Sequence, residues 1–431
     1  MKILVVGSGG REHALCWRLK QAPSCTQLYC APGNAGIADS AQLVDIPVSD
    51  IAALVNFAKE KAVDLVIVGP EAPLVDGLAD DLREEGIPTF GPSAKAATLE
   101  GSKGFMKDLC AKYNIPTAKY GRFTDLAEAM LFIKETGTPI VVKTDGLAAG
   151  KGVIICQSEE EANTAAKAML SGNAFGAAGR EIIIEEFLEG EEVSYFAISD
   201  GKDAMPLTSA QDHKRVGEGD TGLNTGGMGA YSPAHFMTDA LEEQIIETII
   251  EPTIKGMAAE GCAYTGVLFA GIMVKDGKAT LLEHNVRFGD PECQALMMRF
   301  HGDLAHVLML AAQGELESVQ GHVGWSEEAA LCVVMAANGY PGAYKKNTVI
   351  KGAARASTVE NAYVFHAGTA LSDKGELIAT GGRVLGVTAL GASIAQAQAQ
   401  AYDAVDKIDW PEGFCRRDIG WRALKKESEA A

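Results

Sequence analysis

Short apolar runs alternate with helical patterns through the first hundred residues, and this alternation constrains the fold more than any other feature. Lys2 to Val6, Leu28 to Ala31 and Asp64 to Val68 have the composition of buried strands, and Glu12 to Gln21 has the pattern of a helix. Strands that alternate with helices predict a parallel sheet with helices packed against it. We therefore expect residues 1–100 to form an N-terminal Rossmann-like α/β domain.

Each of these strands leads into a loop rich in glycine or proline. The loops are Gly7 to Gly10, Ala31 to Asn34 and Gly69 to Pro73. Ligands of open parallel sheets bind beyond the carboxyl ends of the strands, so these loops predict one ligand site. The first loop departs from the dinucleotide fingerprint, because Glu12 stands where glycine or alanine is required. Its amides at a helix N-terminus still suit a phosphate, and a tight turn without a ligand is the alternative.

Composition narrows the class of protein. A length of 431 residues predicts several domains, and a formal net charge of −19 argues against a nucleic-acid binder. No apolar stretch has the length of a membrane span, and the run before Gly7 is too short for a signal peptide. Nine cysteines without a Cys-x-x-Cys pair indicate free thiols. We expect a cytoplasmic enzyme that binds neither membrane nor nucleic acid.

The rest of the chain predicts further α+β units and no internal repeat. The predicted parts are a connecting helical segment at 101–120, a small unit at 121–192, a larger unit at 193–325 and a C-terminal unit at 326–431. Within them we predict strands Ile140 to Lys143, Glu181 to Glu186, Leu331 to Ala336 and Val384 to Thr388, and helices Glu159 to Leu170 and Ser393 to Ile408.

One apolar strand ends in a group of charged side chains. After Thr280 to Leu282, Glu283 and Asn285 are two residues apart and so point to the same face of the strand. Two hard oxygen ligands on one face suit Mg²⁺. Arg287 adds a fixed cation beside them, as phosphoryl transfer needs, and Gly289 to Glu292 turns the chain with two more carboxylates. A solvated strand end followed by a turn is the alternative.

A second strand carries a lysine into a loop of small residues. Pro139 to Lys143 leads into Asp145 to Val153, whose glycines allow backbone amides to close over phosphates. This is not the P-loop pattern, because Gly152 stands where serine or threonine is required.

The run Arg287 to Glu292 closely resembles the signature of the phosphoribosylamine–glycine ligase family, which belongs to the ATP-grasp superfamily. The resemblance runs almost from end to end of the chain, beginning with the run Gly7 to Ala14 and ending with the run Cys415 to Arg422. It implies an ATP-grasp fold after the N-terminal domain, with 101–120 as its start, 121–192 as a lid and 193–325 as its core, and a small C-terminal α+β domain at 326–431.

The resemblance also implies an activity. Such an enzyme joins glycine to 5-phosphoribosylamine through glycyl phosphate, with ATP as co-substrate and Mg²⁺ or Mn²⁺ as cofactor. It yields glycinamide ribonucleotide, ADP and phosphate, the second step of purine biosynthesis. Its partners are these small molecules, together with a transient contact to the enzyme that supplies phosphoribosylamine.

Residue by residue, the resemblance implies a site in four parts. Other members of the superfamily carry a further metal carboxylate on the preceding strand, but Gly266 to Val274 contains no acid. The metal ligands are then Glu283 and Asn285, and the catalytic residues are Arg287, Asp212 and Lys143. The ATP-binding residues are Lys103, Lys143, Gly150, Gly152, Glu185, Leu188 and Glu192, and the substrate-binding residues are Gly9, Gly10, Arg11, Glu12, Asn34, Glu71, Gly227, Asp290, Pro291 and Glu292.

Several alternatives remain open from the sequence. Ser209 to Arg215 and Asn224 to Tyr231 flank a polar glycine-rich segment that predicts a mobile loop over the site, or an ordinary flexible loop. The turns at His366 to Thr369 and Gly381 to Val384 favour packing of the C-terminal part, with closure of the phosphoribosylamine pocket as the alternative. Other readings of the whole chain are another ATP-grasp ligase, an NAD-dependent oxidoreductase and a non-catalytic nucleotide sensor.

Overall fold

The computed structural model describes residues 1–146, 152–171, 181–319 and 323–430. Within these ranges, no helix combines the length and the apolar character needed to cross a bilayer.

The N-terminal region is a parallel sheet with strand order β3-β2-β1-β4-β5. Val6 pairs with Ala31 on one side and with Val68 on the other, so the three loops that follow these strands lie side by side. The predicted parallel sheet is confirmed, and its central strands are buried because helices cover both faces. The elements are β1 (Lys2–Gly7), α1 (Gly10–Lys20), β2 (Gln27–Pro32), a 3-10 turn (Ile37–Asp39), β3 (Gln42–Leu43), α2 (Ile51–Glu60), β4 (Leu65–Val68), α3 (Glu71–Val75), α4 (Leu78–Glu84), β5 (Thr89–Phe90) and α5 (Ala94–Gly101).

A connecting helix and a small antiparallel sheet follow, with strand order β6-β9-β7-β8. The sheet has its own hydrophobic core, formed with its two helices around Ile133, Ile140 and Met169. The helix predicted at Glu159 to Leu170 begins there because the Ser158 hydroxyl accepts a hydrogen bond from the Glu161 amide at 3.2 Å. The elements are α6 (Lys103–Tyr113), β6 (Tyr120–Phe123), α7 (Leu126–Thr136), β7 (Ile140–Thr144), β8 (Val153–Cys156), α8 (Glu159–Leu170) and β9 (Ile182–Glu186).

The next part builds a large antiparallel sheet that starts β16-β15-β10-β11-β14. Asp276 and Gly277 both have positive φ, and this Asp-Gly turn joins β15 to the edge strand β16. The elements are β10 (Glu191–Asp200), β11 (Ala204–Asp212), β12 (Arg215–Gly217), β13 (Thr221–Asn224), β14 (Gly229–Ser232), α9 (Asp239–Ile245), a π-helical turn (Ile246–Ile250), α10 (Glu251–Ala259), β15 (Thr265–Lys275), β16 (Lys278–Asn285), α11 (Glu292–Arg299), β17 (Phe300–Gly302), α12 (Leu304–Gln313) and a 3-10 turn (Leu316–Val319).

The C-terminal part continues the same sheet. Tyr231 of β14 pairs with Leu331, and the order runs on through β19, β24 and β21, with β25 beside β19. The predicted fold class is confirmed, while the division of the chain into five parts stays a prediction. The elements are β18 (Val323–Trp325), β19 (Ala329–Ala337), β20 (Thr348–Val349), α13 (Ala353–Ala356), β21 (Ala362–His366), β22 (Thr369–Leu371), β23 (Leu377–Ala379), β24 (Arg383–Gly391), α14 (Ile394–Val405), β25 (Gly413–Phe414) and α15 (Trp421–Ala430).

Candidate functional site

Two buried lysines share one carboxylate between the small sheet and the connecting helix. Lys143 of β7 and Glu185 of β9 lie on neighbouring strands and form an ion pair through Oε1, while Lys107 of α6 pairs with Oε2. Their exposed fractions are 7%, 2% and 1%, respectively. Burial, reinforced by Lys107, lowers the pKa of Lys143 to about 7, and burial lowers the pKa of Lys107 to about 8. Because two lysines share one carboxylate, one positive charge is left uncompensated when both are protonated, and this charge suits a polyanion.

The base of the glycine-rich loop is fixed to the start of α6. Asp145 Oδ1 accepts a hydrogen bond from the Gly104 amide at 2.6 Å, and Lys103 Nζ donates to the Gly146 carbonyl at 3.3 Å. The Gly152 carbonyl accepts from the Thr144 amide at 2.9 Å, so both ends of the loop are held beside Lys143. The predicted residue Gly150 lies outside the described residues.

A third lysine joins the predicted ribose site to the predicted metal site. Lys214 Nζ pairs with Glu192 Oε1 and lies 4.0 Å from Glu283 Oε1. Burial opposes the charge of Lys214, but Glu192 and Glu283 outweigh it and raise its pKa. Burial likewise opposes the charge of Glu283, but Lys214 and Lys143 outweigh it and lower its pKa. Leu188 is half-buried in the turn between β9 and β10.

The Glu283 and Asn285 side chains sit on the edge strand β16, on either side of buried His284. His284 turns to the opposite face, where its Nε2 lies 3.0 Å from Thr253 Oγ1. An ionised carboxylate and a carboxamide oxygen on one face fit a hard divalent cation that keeps part of its water shell. Among the described residues, no group of three or more His, Cys, Asp or Glu side chains could hold a metal ion, so the protein would supply few ligands.

Arg287 is fixed beside this pair by two acids from the N-terminal part. Its Nη2 lies 3.1 Å from Glu100 Oε1 and donates to Asn285 Oδ1 at 3.2 Å, and its Nε lies 3.4 Å from Glu71 Oε2. Burial raises the pKa of Glu100, whereas Arg287 outweighs burial at Glu71 and lowers the pKa of that carboxyl. Glu71 therefore contacts a catalytic candidate, and Glu100, which the sequence did not indicate, becomes a further candidate residue of the site.

Glu12 explains why the first loop departs from the dinucleotide fingerprint. Its Oε2 accepts a hydrogen bond from the Gly9 amide at 2.6 Å, and its Oε1 accepts from Arg11 Nε at 2.6 Å. A Cβ added at Gly7 or Gly69 would overlap the Glu12 side chain, which fills the space between the first and third loops. One loop amide expected to bind phosphate is thus already satisfied by a carboxylate.

Asn34 joins the second loop to the C-terminal part. Its Nδ2 donates to the Ser8 and His366 carbonyls, each at 2.8 Å, and its Oδ1 accepts from the Gly36 and Ile37 amides, each at 3.0 Å. Asn34 therefore shapes the second loop, and its role in substrate binding stays a prediction.

The turn within Arg287 to Glu292, called the signature turn below, is held by arginines from the N-terminal and the C-terminal parts of the chain. Arg11 Nη1 donates to the Phe288 carbonyl at 3.1 Å, and Arg383 Nη1 donates to the Asp290 carbonyl at 2.5 Å and to the Gly226 carbonyl. Burial opposes the charge of Asp290, but Arg383 and Arg11 outweigh it and lower its pKa. The sequence predicts only a turn at Gly381 to Val384, and the structure brings Arg383 of this turn to the site.

Half-buried Asp212 and buried Glu292 form a pair of acids beside this turn. Burial raises the pKa of both carboxyls, and the negative charge of Glu292 adds to the effect at Asp212. Gly227 separates Asp212 from Pro291, since a Cβ there would lie 2.6 Å from Asp212 Oδ1 and 2.5 Å from Pro291 Cδ. Gly10 packs equally closely, on Gln294. Two neighbouring carboxyls with raised pKa values suit a cationic amine, because a positive charge beside them favours their ionised form.

The segment predicted as a mobile loop is a hairpin of β12 and β13 clamped by the C-terminal part. Buried Arg416 pairs with Asp220 Oδ1 at 2.9 Å and with Asp418 Oδ2 at 2.7 Å. Asp418 Oδ2 also accepts from the Gly219 amide at 2.8 Å. This clamp, defined by Arg416 and Asp418, holds the hairpin that follows Lys214.

The family models and the related proteins that this chain matches all belong to one family. The chain matches the phosphoribosylglycinamide synthetase N domain over residues 1–100, the ATP-grasp (A) domain of that synthetase over 101–293 and its C domain over 330–422. It is 59% identical to the phosphoribosylamine–glycine ligase of Agrobacterium fabrum, covering 99% of this chain and 100% of the relative. The Escherichia coli K12 ligase is 52% identical, with the same coverage.

Solved structures agree with this match. A crystal structure of phosphoribosylamine–glycine ligase from Thermotoga maritima has a TM-score of 0.84 and 32% identity, covering 97% of this chain and 100% of that chain. The biotin carboxylase domain of Hydrogenobacter thermophilus 2-oxoglutarate carboxylase, in a complex containing MgADP, has a TM-score of 0.72 and 19% identity, covering 96% and 91%. The second likeness concerns the fold alone. The resemblance stated from the sequence is confirmed.

Proposed function

The chain belongs to the phosphoribosylglycinamide synthetase family, and we propose that it joins glycine to 5-phosphoribosylamine with conversion of ATP to ADP and phosphate. It is a ligase of purine biosynthesis. The observation that carries the proposal at the level of the site is Arg287, fixed 3.2 Å from Asn285 Oδ1 beside Glu283. A fixed cation next to two hard oxygen ligands serves phosphoryl transfer, in which positioning and charge neutralisation do most of the catalysis.

The chemistry needs no protein nucleophile. A carboxylate is a poor electrophile, so ATP first phosphorylates glycine to glycyl phosphate, and the amine of phosphoribosylamine then attacks the acyl group. The protein positions the reactants and neutralises charge. Because glycyl phosphate and phosphoribosylamine both react with water, we expect residues 121–192 to close as a lid during the reaction.

The nucleotide lies, in this proposal, between the small sheet and β16. Lys103, Lys143 and the loop with Gly150 and Gly152 bind its phosphates, because they concentrate positive charge at the loop base. The remaining nucleotide contacts are Glu185 with the adenine amino group, the backbone near Leu188 with the adenine edge, and Glu192 with the ribose hydroxyls. A divalent cation held by Glu283 and Asn285, Mg²⁺ or Mn²⁺, would neutralise charge on the phosphates.

The acceptor site lies around the signature turn. Asp212 and Glu292, whose pKa values are raised by burial, suit the ammonium group of glycine, which would restore their charge. Asp290 and Pro291, together with Gly227, shape the pocket. Phosphoribosylamine lies toward the N-terminal loops, with Gly9, Gly10, Arg11, Glu12, Asn34 and Glu71 as the residues that form or shape its site.

A product assay tests the function. The purified chain should release ADP only when glycine and phosphoribosylamine are both present, and mass spectrometry should detect glycinamide ribonucleotide. Release of ADP with a different carboxylic acid, and no such product with glycine, would support another ATP-grasp ligase instead. NAD turnover without ADP release would instead support an NAD-dependent oxidoreductase.

We also place the reaction in the cytoplasm, because all nine cysteines are free thiols. Cell fractionation with an antibody to the chain tests this placement. Transfer of phosphoribosylamine by transient contact with the enzyme that makes it is a further proposal. Addition of an inactive variant of this chain should slow the coupled reaction if the contact exists, and should leave its rate unchanged if the substrate diffuses freely.

A further inference from the structure

Lys107 is a buried charged residue that has no role in the proposed reaction. It lies in the middle of α6, between buried Met106 and buried Cys110 in sequence, with an exposed fraction of 1%. Burying an ammonium group is unfavourable unless it is paired, and its carboxylate partner is Glu185. The pair therefore needs an explanation beyond the packing of a helix.

The orientation of Lys107 is fixed by a chain of contacts. Its Nζ donates to Thr117 Oγ1 at 2.7 Å, and the Thr117 hydroxyl donates onward to the Leu281 carbonyl at 2.7 Å. Because that hydroxyl has one hydrogen and spends it on Leu281, only its lone pairs face Lys107. The ring of Tyr120 lies 5.8 Å from Nζ on another side. The ammonium group is thereby held against Glu185.

Lys143 and Lys107 stand in different positions with respect to a nucleotide. Lys143 ends a strand at the glycine-rich loop and, in the proposed function, contacts the phosphates. Lys107 sits behind Glu185, tied to Thr117, and stays with the carboxylate when Lys143 turns to the phosphates. A carboxylate with a permanent counter-ion remains ionised, and an ionised carboxylate only accepts hydrogen bonds.

We propose that Lys107 determines which base the nucleotide site accepts, by keeping Glu185 an obligate hydrogen-bond acceptor. An exocyclic amino group at position 6 of a purine is a donor and is accepted, whereas a 6-oxo group is an acceptor and is repelled. The inference deepens the proposed function and rests on its placement of the adenine amino group at Glu185. Lys107 is a positioning residue, since it acts on the nucleotide only through Glu185.

The test compares ATP with inosine triphosphate, which carries a 6-oxo group in place of the 6-amino group. The measured quantity is the ratio of kcat/KM for the two nucleotides in glycinamide ribonucleotide synthesis. In Lys107→Met, neutral Glu185 can donate a hydrogen bond, so the preference for ATP should fall roughly 10- to 100-fold, the range for a hydrogen bond to a charged group. Lys112→Met is the matched control, since Lys112 lies on the same helix but is exposed and pairs with Glu260.

Two further variants keep the test decisive. Thr117→Val removes the acceptor that aims Lys107, retains the shape of the side chain, and should reduce the preference by roughly two- to tenfold. It carries the test if Lys107→Met fails to fold. Glu185→Gln should lose the preference by itself, and adding Lys107→Met to it should change the ratio no further, because the two changes act through one group.

The outcomes distinguish a failure of the inference about Lys107 from a failure of the proposed function. A uniform loss of activity with both nucleotides, at an unchanged ratio in Lys107→Met and Thr117→Val, would show that Lys107 only supports the fold and would overturn the inference. A wild-type chain that uses both nucleotides equally would also overturn it, while detection of glycinamide ribonucleotide would leave the proposed function standing. Absence of that product with either nucleotide would remove the proposed function itself.

Discussion

The affinity for ATP should fall steeply as the pH rises above 7, because the buried Lys143 loses its charge in the free protein. Burial and the neighbouring Lys107 lower the pKa of Lys143 to about 7 in the free protein. A phosphate beside Lys143 would favour the charged form and return its pKa toward its ordinary value of 10.5. Nucleotide binding then takes up a proton, and the uptake becomes less favourable as the pH rises through 7.

The size of the effect follows from these two pKa values. Below pH 7 Lys143 is charged in both states, so the affinity changes little. Between pH 7 and pH 9 the free protein carries neutral Lys143 and the complex carries charged Lys143, and the dissociation constant should rise about 50-fold by proton linkage. Above the pKa of the bound state the curve flattens again.

Calorimetric titration with a non-hydrolysable ATP analogue and Mg²⁺ measures the effect, with the chain held at each pH from 6 to 9. The Lys143→Met variant should bind the ATP analogue weakly. Its affinity should depend only weakly on pH, and the remaining dependence comes from the nucleotide and from the other lysines. Lys143→Arg cannot lose its charge in this range and should also give a shallow curve. Curves of equal slope for the wild type and Lys143→Met would refute the argument, because the titrating group would lie elsewhere.

Three substitutions test other parts of the site. Glu283→Gln should remove most activity while the thermal unfolding midpoint changes little, and excess Mg²⁺ should restore part of the rate; wild-type turnover with an unchanged Mg²⁺ requirement would exclude Glu283 as a ligand. Arg287→Lys keeps a charge but loses the planar fork, so single-turnover rates should fall roughly 10²- to 10³-fold while ATP still binds; an unchanged rate would show that charge alone suffices. Arg383→Met leaves the Asp290 carbonyl without its 2.5 Å donor, and kcat/KM for glycine should fall roughly tenfold with ATP affinity unchanged; a parallel loss of ATP affinity would instead indicate a general loosening of the fold.

Local patterns were enough to predict the strands and helices that carry the site. The helix at Glu159–Leu170 has the predicted bounds because its serine cap and apolar periodicity are neighbours in sequence. Glu283 and Asn285 share a face of β16 because alternation along a strand is a local property. The same holds for Lys143, which ends an apolar run and precedes small residues.

The residues that the sequence analysis missed act over long separations. Glu100 meets Arg287 across 187 positions, and Arg383 meets Asp290 across 93, so no local pattern indicates either contact. Lys107 belongs with these residues, since its partner Glu185 lies on β9, which follows α7 and α8 in the chain, and no local pattern indicates the pair.

The clamp of Arg416 and Asp418 on the hairpin has a consequence for the order in which the protein becomes complete. The contact of Arg416 with Asp220 joins positions 196 residues apart. At about 5–20 residues per second, synthesis of the intervening chain takes about 10–40 s, during which the hairpin has left the ribosome and its clamp does not yet exist. Of the two strands that pair with β14, β11 has already been made, but β19 is still missing for part of that interval. Growing chains can therefore form the N-terminal sheet and the small sheet of β6 to β9 early, but the hairpin beside Lys214 takes its final position only after β19, β24 and the clamp have been made.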